Sequence, residues 1–101
     1  MSNDRKDATG PLTGIRVLDL TEGLGAYASR LLADLGADVV KVERPGAGDE
    51  MRSYTPRVGP DSVNFALLNR GKRSVAVDLK DSSSLEKIFS LIRETDVLVE
   101  Q

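Results

Sequence analysis

Apolar residues fall along this chain in short runs, separated by glycines and charged stretches. Residues 15–21 (IRVLDLT) are rich in leucine and β-branched side chains and lie between Gly14 and Gly23, which predicts a buried strand. Beyond Gly23 the period changes. Ala28, Leu31, Leu32 and Leu35 recur at i, i+3, i+4 and i+7, predicting a helix with one apolar face. Gly36 then stops it, because a glycine just past a helix turns left-handed without steric cost. Residues 38–43 (DVVKVE) predict a second strand. Two strands joined by a helix of this length lie parallel, with a right-handed crossover.

Residues 44–60 mix glycine, proline and charge and predict a long loop, a type that is usually functional or flexible. Residues 62–69 (SVNFALLN) predict a short helix capped by Ser62 or Asp61 and ended near Gly71, and residues 73–79 (RSVAVDL) a third strand. Ser83 and Glu86 match a capping box ahead of a helix with Leu85, Ile88, Phe89 and Ile92 on one face. Residues 96–100 (DVLVE) predict the fourth strand. This alternation predicts an α/β fold: a Rossmann-like open parallel sheet with flanking helices, built from βαβ units. Residues 1–10 (MSNDRKDATG) are polar and aperiodic and predict a disordered lead-in to a single region, 11–101. The chain stops at Gln101, at the mouth of the fourth strand, where an open sheet ordinarily adds a loop or covering helix. A short final strand can close a small sheet, but the pattern favours a truncated one.

Composition narrows the chemistry. A chain of 101 residues has room for one modest core. With 14 basic and 16 acidic side chains the net charge is −2, which provides no global field for nucleic acid or an anionic membrane. Four aromatics, Tyr27, Tyr54, Phe65 and Phe89, are too few for a base-stacking platform. No apolar run approaches the roughly 18–20 residues of a membrane span. The N-terminus lacks the apolar core of a secretory signal, so the expected compartment is the cytoplasm. Without cysteine or histidine, disulfides, thiol catalysis, the usual catalytic triads and the commonest metal ligands are excluded, and no metal is expected. Arg70, Lys72 and Arg73 cluster at a turn, a pattern more often solvated than ligand-binding.

Residues 23–28 (GLGAYA) satisfy G-x-G-x-x-[GA] between a strand and a helix, and Glu43 ends the second strand 20 residues after Gly23. Those are the parts of a dinucleotide fingerprint, with an acid placed for ribose hydroxyls, and by themselves they suggest NAD. Thr21 and Glu22 make the turn looser than the tight Rossmann one, and Glu22 sets a negative charge beside the pyrophosphate position. A glycine turn that only packs helix on strand stays open as the alternative.

Four ordered blocks carry a more specific likeness. Residues 10–20 match GPLxGxRVLDL, residues 31–52 match LLADLGADVxKVExPGxGDxxR, residues 69–80 match NRxKRSVxxDLK, and residues 96–101 match DVLVEN with Gln101 in the last place. In these the chain resembles the family III CoA-transferases of the CaiB/BaiF type. That superfamily includes formyl-CoA transferases and α-methylacyl-CoA racemases.

The resemblance implies an N-terminal Rossmann-like region that holds CoA. Its contacts fall on Leu24 and Gly25 after the first strand and on Arg44 at the nucleotide end. Val77, Asp78, Leu79 and Lys80 would line the adenosine site, and Gln101 would contact CoA after the fourth strand. CoA carries a 3′-phosphate and a pyrophosphate, and a guanidinium can fork onto phosphate oxygens, with Lys80 as a second point charge. The alternative for Arg44 is an ion pair with Asp49 or Glu50 across the loop. The implied reaction moves CoA from an acyl-CoA to a carboxylic acid acceptor, in an interlocked homodimer. The chain departs from the family in reading Leu24-Gly25-Ala26 where Ala-Gly-Pro is usual, and in carrying Gln101 for asparagine. The family's nucleophilic aspartate, which attacks the acyl-CoA thioester, lies in a downstream segment that this chain lacks. Asp19, Asp38, Asp78 and Asp96 do not occupy its position, and Asp19, inside a strand, is expected to be structural. No catalytic residue is therefore assigned, and the chain alone is expected to be inactive. Open beside this reading stand a racemase-like relative, a stand-alone NAD- or CoA-binding module and an inactive remnant.

Overall fold

The computed structural model of the protein describes residues 9–101. Most of the lead-in expected over residues 1–10 lies outside the described residues. Gly10 is already engaged, its carbonyl accepting from Thr13 N–H at 3.2 Å. The elements follow as β1 (Arg16–Asp19), a 3-10 turn (Gly23–Gly25), α1 (Ala26–Asp34) and β2 (Asp38–Glu43). A second 3-10 turn (Glu50–Ser53) then leads to the two-residue strands β3 (Arg57–Val58) and β4 (Asp61–Ser62) and to α2 (Val63–Asn69). The chain finishes with β5 (Arg73–Ala76), α3 (Ser82–Arg93) and β6 (Val97–Val99). Among the described residues no helix is long and apolar enough to cross a membrane.

β5, β2, β1 and β6 form one sheet in that order, all neighbours parallel, with Arg16 opposite Asp38 and Leu18 opposite both Val40 and Leu98. The fold is thus the Rossmann-like α/β sheet that the alternation predicts. From β1 the chain moves outward through β2 to β5, then crosses back to β6 on the other side of β1. The order therefore reverses between β1 and β6, which in open α/β sheets is where ligands settle, beyond the C-terminal strand ends.

Strand alternation divides the core into two layers. Val17 and Val39 face one side, where they pack with Ala33 and Ala37 and are flanked by Leu32 and Val99. Leu18 and Val42 face the other, packing with Val77 and Ile88 of α3, flanked by Val75 and Leu91. The leucine stripe predicted for α1 is not its buried face. Ala26, Ser29 and Ala33 are buried, whereas Ala28 is exposed and Leu31 and Leu35 keep 43 % and 46 % of their surface. The helix meets the sheet through small residues, and of the expected stripe Leu32 packs against the core.

α3 shows a similar rotation: Ile88 is buried and Leu85 half-buried, while Phe89 and Ile92 face outward. Its N-cap is Asp81, not Ser83; the hydroxyls of Ser83 and Ser84 donate to the Asp81 carboxylate at 2.8 and 3.1 Å. Ser62 caps α2 as predicted, accepting from Phe65 N–H. Gly36 follows α1 at φ 104°, in the left-handed region. Residues 44–60, expected as an unbroken loop, contain the second 3-10 turn, β3 and the approach to β4.

Candidate functional site

At the C-terminal end of β1 the chain makes the glycine turn and enters α1. Gly23 sits at φ 63°, where a side chain is strained, and its N–H donates to both carboxylate oxygens of Asp49 at 3.3 and 3.4 Å. Gly25 has an ordinary helical φ of −60°. Its smallness serves a close approach instead, since a Cβ there would overlap the amide of Gln101. Gln101 Nε2 donates to Glu22 O at 3.0 Å, joining the end of β6 to the turn after β1.

Beneath the turn lies a layer of buried charge. Asp19 is fully buried; its carboxylate accepts from Thr21 N–H at 2.8 Å, Thr21 Oγ1 at 2.6 Å, Ser29 Oγ at 2.7 Å and Lys72 Nζ at 2.8 Å. Burial pushes its pKa up, but the bonds from Lys72, Thr21 and Ser29 and the Lys72 charge outweigh it and hold the group below the usual aspartate range. Lys72 Nζ also reaches Ala26 O at 2.9 Å and Asn69 Oδ1 at 2.7 Å. Lys41 Nζ binds Asp49 Oδ2 at 2.9 Å and Thr21 O at 2.9 Å.

Beside this layer opens a cavity of about 530 Å³. Its walls come from the C-terminal ends of β1 (Leu20, Thr21, Glu22), of β2 (Val42, Glu43, Arg44) and from residues 77–80 after β5. Five of the residues singled out from the sequence, Arg44, Val77, Asp78, Leu79 and Lys80, line it together. Gly25 and Gln101 adjoin it through Glu22, and Leu24 projects outward, 80 % exposed. Five are thus gathered in one cavity and two adjoin it, with Leu24 exposed and outside its lining.

Three sequence expectations change here. Arg44 pairs with neither Asp49 nor Glu50; its Nη2 binds Glu22 Oε1 at 2.6 Å and Gly48 O at 3.2 Å. Asp49 is unavailable to it because the buried ammonium of Lys41 holds it. Glu43 is no free acid for ribose hydroxyls. Arg52 takes both its oxygens at 2.7 Å, Ser74 Oγ donates to Oε2 and Asp49 N–H to Oε1. Burial raises its pKa, but Arg52, Ser74 and the Asp49 amide bring it down to about 2. The basic cluster is solvated only in part: Arg70 and Arg73 stay about half exposed in pairs with Asp34 at 3.1 Å and Asp38 at 2.6 Å, whereas Lys72 is buried on Asp19.

The sequence pattern assigned no buried charge role to Lys41, Asp49 or Lys72. The available signal was a lysine at an inward position of an apolar strand, DVVKVE, opposite Asp19 in IRVLDLT; parallel pairing sets Asp19 against Lys41.

Comparison with known proteins agrees with this architecture. The chain is 48 % identical over 96 residues to a succinyl-CoA:glutarate CoA-transferase of Mus musculus, covering 93 % of this chain and 22 % of that protein. It is 44 % identical over 92 residues to an acetyl-CoA:oxalate CoA-transferase of Acetobacter aceti, covering 90 % of this chain and 24 % of the relative. A CAIB/BAIF family protein from Brucella suis superposes with a TM-score of 0.83 at 37 % identity, over 91 % of this chain and 26 % of that one. The chain thus spans about a quarter of the length of these relatives. The model of CoA-transferase family III matches residues 12–101, and the chain belongs to that family.

Proposed function

We propose that this chain is the N-terminal CoA-binding region of a CoA-transferase that moves CoA from an acyl-CoA to a carboxylic acid acceptor. The observation that carries the reading is the cavity at the C-terminal strand ends, where Arg44 and Lys80 stand on walls completed by Val77, Asp78 and Leu79. Two cations beside the apolar Val77 and Leu79 suit a ligand that joins phosphates to an adenosine. Leu24, Gly25 and Gln101 extend the contact surface along the switch point between β1 and β6. The engagement of Glu43 with Arg52 and Ser74 favours CoA over NAD, because it removes the acid that a ribose diol would need.

In this reading the acyl-CoA and the acceptor acid meet on parts of the enzyme beyond residues 12–101, where the nucleophilic aspartate also lies. The chain alone holds CoA and turns nothing over. The outward leucines of α1 and the exposed Val97 and Leu98 of β6 suit burial in an interlocked homodimer of the whole enzyme, in the cytoplasm.

Calorimetric titration of CoA, and separately of NAD, into the 101-residue chain tests the binding. CoA should bind and NAD should not. Arg44→Ala and Lys80→Ala should each weaken CoA about tenfold, the worth of a charge-assisted contact, and the loss should shrink at high salt. Binding of NAD in place of CoA would make the chain a nucleotide module of another kind. Turnover of succinyl-CoA with oxalate or glutarate by the chain alone would sink the assignment of catalysis elsewhere.

A further inference from the structure

We infer that the two buried ion pairs, Lys41–Asp49 and Lys72–Asp19, are positioning residues: they fix the turn from Thr21 to Ala26 in its ligand-receiving shape, beyond any part they play in holding the fold. The ligand in question rests on the CoA reading above.

The first argument is energetic. Taking an ammonium and a carboxylate out of water costs several kcal/mol per ion, and a well-packed apolar pair of similar volume often stabilises a fold as well or better. Yet Lys41 and Asp49 are each 1 % exposed, and Lys72 and Asp19 are 2 % and 0 %. Every other ion pair among the described residues keeps at least one partner about a third exposed or more. Fold stability alone does not call for two such pairs at one place.

The second argument is geometric. All four side chains end on the backbone of the same six residues. Asp19 takes Thr21 N–H and Lys41 takes Thr21 O; Asp49 takes Gly23 N–H; Lys72 takes Ala26 O. The turn is pinned at its start, middle and end. The carbonyls of Thr21 and Ala26, whose negative ends would repel a phosphate, are drawn inward onto ammonium groups. Left between the pins is Leu24, whose N–H opens the 3-10 turn and so has no intrahelical acceptor. The buried charges thereby determine which backbone dipoles face the crevice. A turn held in this way before the ligand arrives has less to order on binding.

Two double variants separate positioning from support. Lys41→Met with Asp49→Asn, and Lys72→Met with Asp19→Asn, neutralise each pair while the asparagine keeps an acceptor for the local N–H groups. Thermal melting, CoA titration and amide hydrogen exchange are measured on the 101-residue chain. The expected result is a retained cooperative melt, CoA affinity about tenfold weaker or more, and faster exchange confined to residues 21–26. Unchanged CoA affinity and unchanged exchange at Gly23, Leu24 and Gly25 would overturn the inference. A double variant that fails to fold would also overturn it, for that pair, by making the pair a support of the fold. Failure of the unmodified chain to bind CoA would instead strike the functional reading, and exchange in the free chain would still decide whether the pairs hold the turn.

Discussion

The two ends of the sheet both carry charged residues and use them differently. At the N-terminal end, Arg16 pairs with Glu94 at 3.0 Å while both side chains stay more than half exposed, and Arg73 forks onto Asp38 at the rim. A cavity of about 430 Å³ lies there too, between the strand starts and the end of α3. Its charged groups hold one another. At the C-terminal end, Lys41, Lys72, Asp19 and Asp49 are buried, and all four bind backbone atoms of the glycine turn. Cavity size, about 430 against about 530 Å³, does not by itself distinguish the two ends. What distinguishes them is whether charge is spent on the surface or on the shape of a loop.

The largest effect should come from breaking the C-terminal side from one partner only. Lys72→Ala leaves the Asp19 carboxylate buried without its cation, and should cost about 3–5 kcal/mol, a large share of a small domain's stability. The urea midpoint reads this directly. A shift no larger than that of a surface substitution would mean that water reaches Asp19 and that the two ends are alike.

A middle-sized effect concerns acid. Glu43 has a folded pKa of about 2 against an ordinary 4.5, and Asp19 is shifted the same way. A depressed carboxylate stabilises the fold fully above its unfolded pKa, and that stability is lost as pH falls toward the folded value. The Glu43 contribution should therefore be fully present above about pH 4.5 and fall by about 2 kcal/mol toward pH 2, allowing for the half-exposed Arg52. Glu43→Gln should flatten that slope in a series of denaturant melts, and an equally steep slope in the variant would assign it to other groups. The smallest effect belongs to the N-terminal end. Arg16→Ala should change stability by no more than about 0.5 kcal/mol and leave CoA titration untouched. A clear loss of CoA affinity would erase the contrast between the ends.

Much of this was legible in the chain, for reasons that differ by element. The strands were readable because β1, β2 and β5 are short apolar runs between glycines or turns, and their alternation with helices fixes parallel pairing. Gly36 and Ser62 announced helix ends because their roles depend on local backbone chemistry alone. The buried face of α1 was not readable. Hydrophobic periodicity marks Leu31 and Leu35, but the buried face is made of the small Ala26, Ser29 and Ala33, with Leu32 alone of the stripe packed on the core. Capping misled at Ser83 because Asp81, two residues earlier, competes for the same helix start. In the site, family likeness singled out Arg44 and residues 77–80, which the strand ends bring together. Charge pairing across 53 residues of sequence, as between Lys72 and Asp19, is a product of topology that no local pattern displays.

The bond between Arg44 and Glu22 carries one more consequence. In the free crevice the guanidinium already has an anion, and that anion belongs to the chain. On the CoA reading proposed above, a phosphate reaching Arg44 has to displace this tethered carboxylate. When Arg44 lets go, Glu22 Oε1 still accepts from Glu50 N–H at 3.1 Å, so the displaced carboxylate is not stranded. The pair is, on that reading, an internal counter-ion that a ligand phosphate would replace.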